Sequence, residues 1–132
     1  MNTIILLAVL AVGANWQAEL PTIQKAGERN GCVKDDLCLL VAIRIQENGE
    51  KGTEFGVLHP KAKGKGLDVQ AGWAAATIMK HHKRYDSNKV TDGFIYSLAD
   101  RYCPKADDPE GNANWKKNVP KIYRKIKREL DR

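Results

Sequence analysis

The stretch DDLCLLVAIRIQENGEKGTEFGVLHP, residues 35–60, decides the fold. It opens with two carboxylates and runs almost wholly apolar through Ile45. It then places Glu47 directly before Asn48-Gly49. Asp35 and Asp36 suit the positive end of a helix dipole. Asn48 and Gly49 tolerate a left-handed backbone and stop a helix. The segment is therefore expected to be a buried helix ending at about residue 48. On it Leu40, Ile43 and Glu47 share one stripe, so the acid extends an apolar face. Desolvation and the negative helix end both favour the protonated form there. A glutamic acid held protonated near neutral pH is what a general acid for a glycosidic oxygen requires. An outward-turned, ordinary C-terminal residue is the plain alternative.

Working outward, the pattern stays helical. A short helix is expected over residues 17–25, with Pro21 awkward inside it. Residues 50–66 carry four glycines and one proline and read as an irregular loop or small hairpin. Asp68 is expected to cap a helix over residues 69–85, slender at Gly72, Ala74, Ala75 and Ala76. Thr91 caps the next, with Phe94, Leu98 and Tyr102 at helical spacing and Pro104 after its end. Residues 104–114 read as a polar loop. The last helix places Trp115, Val119, Ile122, Ile126 and Leu130 on one side and Lys/Arg on the other, with Pro120 in or near its first turn. No run of alternating strands is present, so the fold class is mainly α.

The chain has 132 residues, of which 42% are hydrophobic and 29% charged, which suits one domain with a single core. Its formal charge of +6 favours an anionic partner: nucleic acid, membrane headgroups or a cell-wall polymer. Residues 4–12 form an apolar run too short to span a bilayer comfortably, followed by small residues suited to cleavage after Ala14. No Lys or Arg precedes it. Residues 1–14 are read as a signal or membrane-inserting leader and 15–132 as the domain, with membrane contact through the leader. Three cysteines allow one bridge plus one thiol, or three thiols. Cys/His spacing fits no zinc site, His81 and His82 point different ways on a helix, and the acidic loop at Asp107 does not match calcium-loop spacing. Neither a metal nor a cofactor is expected.

Glu47-Asn48-Gly49 followed by Gly52-Thr53-Glu54-Phe55-Gly56-Val57-Leu58-His59 resembles the lysozyme-like superfamily, in the style of lytic transglycosylases and phage muralytic domains. There a helix ends E-S-x-G and is followed by G-x-x-G-L-M-Q. Leu98-Ala99-Asp100-Arg101-Tyr102 is similar to the family's L-A-x-Y-N helix, and residues 115–126 to its closing helix. The resemblance covers residues 37–126. His59 stands for the usual Gln, Cys103 for the usual Asn, and Val57-Leu58 for Leu-Met. It implies a lysozyme-like helical domain, monomeric, that cleaves the β-1,4 bond of a peptidoglycan strand in the periplasm, outside the cell or from a virion. It makes Glu47 the acid/base. Glu54 is a candidate second carboxylate. Phe55 and His59 are candidate sugar contacts, as is Trp73. Tyr102 is expected to give its hydroxyl to Glu47 or to the substrate's N-acetyl group. A reading from another class is a non-catalytic basic virion or nucleic-acid-binding protein on the same scaffold, using the last helix.

Overall fold

The computed structural model describes residues 16–131, so the expected leader lies outside the described residues. Five helices follow in order: α1 (Leu20–Arg29), α2 (Lys34–Glu47), α3 (Leu67–Tyr85), α4 (Asp92–Tyr102) and α5 (Pro109–Leu130). No strand occurs among the described residues, and residues 50–66 form successive turns rather than a hairpin. No helix among them is long and apolar enough to cross a membrane.

α2 is the axis of the molecule. Every residue from Asp36 to Arg44 is buried. A helix apolar on all sides must be surrounded, and α1, α3 and α5 all pack on α2. Leu39, Leu40 and Ile43 meet Ile23, Ile78, Phe94, Leu98, Trp115 and Val119 in one core. Val33 has no side-chain oxygen to cap α2, so only the reverse contact forms: Asp36 Oδ2 accepts from the Val33 amide at 3.1 Å. The same carboxylate meets His82 Nε2 at 2.6 Å, which ties the start of α2 to the end of α3. At the other end Asn48 takes the left-handed conformation (φ 45°) and stops the helix before Gly49, as its sequence demands.

Several boundaries differ from the expected ones. α1 starts at Leu20, so Pro21 sits in the first turn, where a missing amide costs nothing. α3 starts at Leu67 after Gly66, which puts Asp68 in the first turn with no capping bond. Thr91 does cap α4, accepting from the Phe94 amide at 3.1 Å. The largest difference is α5. It begins at Pro109, capped by Asp108 through the Gly111 amide at 2.9 Å, and Pro120 lies deep inside it. The expected polar loop is therefore half helix. Its Asn112 is buried and donates to Cys103 O at 2.8 Å and Asp100 Oδ1 at 3.2 Å, joining α4 to α5. All three cysteines are free thiols.

Candidate functional site

Glu47 occupies the last turn of α2 and is half-buried. Its Oε2 accepts a 3.1 Å hydrogen bond from Trp115 Nε1 of α5. Burial pushes its carboxyl above the usual value, and the indole N–H offsets part of that rise by favouring the anion. No cation pairs with it among the described residues. The other carboxyl oxygen faces the loop. A Cβ on residue 56 would collide with Glu47 Oε1, and Gly56 has φ +72°. Glycine is thus required twice at this point, for its backbone and for its closeness to the acid.

Three side chains hold Gly56 in place. Gln70, fully buried on α3, accepts from the Phe55 and Val57 amides at 3.1 and 3.3 Å. Its amide group donates to Val57 O at 2.8 Å and Ala62 O at 3.3 Å. Tyr102 donates to Phe55 O at 2.6 Å. The peptide groups on both sides of Gly56 are thereby fixed. Arg44 anchors the base of the loop by donating to Gly49 O at 3.2 Å and Glu54 O at 3.0 Å. It is itself held by both Glu19 oxygens, at 2.6 and 2.9 Å, and stacks on Trp16 at 4.7 Å.

The structure redistributes the expected roles. Tyr102 is packed beside Trp115, ring centroids 5.5 Å apart, but its hydroxyl goes to the Phe55 carbonyl and not to Glu47. Its phenol is raised well above the ordinary value, first by burial and then by the Glu47 charge, so it stays a donor. Glu54 is only 6% exposed, and its Oε1 accepts from the Gly52 amide at 3.1 Å. The carboxylate is turned into its own loop, because a glycine-rich turn leaves amides that need acceptors. Phe55 is wholly buried in the core and offers no ring face to a sugar. His59 is exposed and stacks on Trp73, centroids 4.7 Å apart. Trp73 is 36% exposed, so of the two aromatics considered it is the accessible one.

Arg44 and Gln70 escaped the sequence reading. Arg44 carried a signal, since it is the one charge inside LLVAIRI, and a polar group embedded in a buried helix must have partners. Gln70 carried none, because an amide beside Ala71 on a helix looks like any surface residue. Among the described residues no group of three or more His, Cys, Asp or Glu could hold a metal ion. Comparison with protein-family models, curated proteins and solved structures found no match.

Proposed function

We propose that the chain is a peptidoglycan-degrading glycosidase on a lysozyme-like helical scaffold, with Glu47 as its general acid and base. The observation that carries this is the state of Glu47. It is a half-buried carboxyl at a helix C-terminus, with no cation partner among the described residues and with its affinity for a proton raised. Such a group destabilises a fold when ionised, and structural carboxylates are normally paired. A raised proton affinity is what a general acid uses.

In this mechanism Glu47 protonates the oxygen between N-acetylmuramic acid and N-acetylglucosamine as the C1–O bond breaks. The resulting carboxylate then takes a proton from the group that attacks C1. Glu54 is engaged with Gly52, so one acid does both steps. That supports attack by the muramoyl 6-hydroxyl, closing a 1,6-anhydro ring, over attack by water placed by a second carboxylate. The substrate assigns the protein to the periplasm, the exterior or a virion, and no cofactor is required.

The test is digestion of purified sacculi followed by mass spectrometry of the products. Anhydro ends are expected; products heavier by one water per cleaved end would assign hydrolysis instead. Glu47→Gln should be inert, since loss of acid–base assistance typically costs about 10²–10⁴-fold. Undiminished cleavage by that variant would sink the mechanism.

One observation supports the rival class. Lys117, Lys121, Lys125 and Arg128 are exposed, share one face of α5 and have no ion partner among the described residues. Lys116, Arg124 and Lys127 are paired with Asp100, Asp92 and Asp35. A free basic stripe suits a polyanion. Folded protein that leaves sacculi intact but binds DNA with steep salt dependence would favour that reading.

A further inference from the structure

We propose that the outer face of α3, around Trp73 and the end of α1, is a second saccharide site that takes an acidic, N-acetylated segment of the glycan strand remote from the scissile bond. This rests on the peptidoglycan reading above. The first observation is the aromatic shelf. The exposed His59 ring lies on Trp73 at 4.7 Å with a 30° tilt. Its orientation is set by the Lys61 amide, which donates to Nδ1 at 3.0 Å. The exposed His59 ring, together with the third of Trp73 left uncovered, offers aromatic surface on which the apolar face of a sugar ring can stack.

The second observation is the depression that Trp73 also lines, of about 460 Å³, within the range of small-ligand sites. It runs along α3 toward the end of α1. Its floor is low because Gly72 and Ala76 lie one turn apart there. A Cβ at residue 72 would meet nothing nearer than Asn30 Nδ2 at 3.8 Å. The rim supplies polar groups with capacity to spare. Asn30 uses its amide N–H on Ala26 O, leaving its oxygen as an acceptor. Thr77 donates to Trp73 O, leaving its lone pairs. Arg29, Asp68 and Lys80 have no ion partner among the described residues.

These groups match one chemistry. Asp68 and the Asn30 oxygen accept from sugar hydroxyls or an acetamido N–H, while Arg29 and Lys80 meet the carboxylates that muramoyl units and their stem peptides carry. The shelf is also tied to the acid. Gly56 abuts Glu47, and His59 follows three residues later, at most about 11 Å along the chain.

The test uses the full chain carrying Glu47→Gln, so that substrate is bound without being cut. Its cosedimentation with purified sacculi is compared with that of the same protein carrying Trp73→Ala or Lys80→Gln, with Tyr96→Ala as an exposed aromatic control. Trp73→Ala should weaken retention about tenfold, as loss of a central aromatic anchor does, and Tyr96→Ala should not. Lys80→Gln should weaken binding to sacculi but not to a neutral N-acetylglucosamine polymer, which carries no carboxylate. Equal retention of the Trp73→Ala protein would overturn the site while leaving the peptidoglycan reading in place. A parent protein that neither binds sacculi nor, with Glu47 restored, cleaves them would overturn both.

Discussion

A carboxyl that is half-buried at the negative end of a helix resists ionisation, and Glu47 is such a group, with no cation partner among the described residues. Its folded-state pKa lies above the ordinary 4.5. Below that value the group is protonated in both folded and unfolded chains and is without penalty. As pH rises through the folded-state pKa, the fold loses stability. Glu47→Gln accepts the same Trp115 hydrogen bond and never ionises. It should therefore melt higher than wild type at neutral pH, with the gain vanishing below about pH 4.5, while activity is lost. Thermal melts at both pH values check this; a lower neutral melting temperature would show that the carboxylate is held favourably after all. Trp115→Phe removes the contact that favours the anion, so the alkaline limb of the kcat/KM profile should move to higher pH. Sequence periodicity placed Glu47 on its apolar stripe, because helix spacing is local. It could not show which neighbours approach, since Gly56 and Trp115 come from distant parts of the chain.

At the scale of elements, the loop after α2 is a series of turns with backbone hydrogen bonds of its own, such as the Gly56 amide to Thr53 O and the Gly64 amide to Gly52 O, both at 2.9 Å, and side chains of α3 and α4 fix it against the core. Gln70 satisfies four backbone groups around Gly56 with one amide. Gln70→Leu leaves these groups in an apolar setting, where each orphan typically costs about 1–3 kcal/mol. Chemical denaturation should show a loss of at least about 2 kcal/mol. Tyr102→Phe orphans only the Phe55 carbonyl, a loss of about 1 kcal/mol. It should fold and yet lower kcat, because the loop that sets Gly56 against Glu47 is freed. Full activity would return Tyr102 to a packing role. Helix ends were legible where a local signal marked them, as Thr91 and Asn48-Gly49 did. Asp108-Pro109-Glu110 was as clear a start signal, with a cap, a proline and an acid in the first turn. It was obscured because residues 104–114 are polar throughout, while burial of Asn112 depends on the end of α4.

For the molecule as a whole, mainly helical architecture was legible from period and caps, but the contacts that join its ends were not. The junction of α2, α3 and α4 holds two buried histidines with opposite arrangements. His82 meets Asp36 at 2.6 Å and the Ser87 carbonyl at 2.7 Å. His81 is 3% exposed, sits between Tyr85 and Phe94, and neither ring nitrogen has a hydrogen-bond partner among the described residues. Burial lowers its pKa below the ordinary 6.5, and the charges of Arg84, Arg101 and His82 lower it further. The sign follows from linkage. Above pH 6.5 the ring is neutral in both folded and unfolded chains, and its contribution to stability is fully present. As pH falls below 6.5 the unfolded chain takes up the proton first, so stability is lost until the folded-state pKa is passed. The slope from this one group is at most about 1.4 kcal/mol per pH unit. His81→Phe keeps a ring between Tyr85 and Phe94 and has nothing to titrate. Its stability relative to wild type should therefore be constant above pH 6.5 and improve steadily below it, as read from urea midpoints at a series of pH values. A constant difference across the whole range would show that protonated His81 is accommodated in the fold.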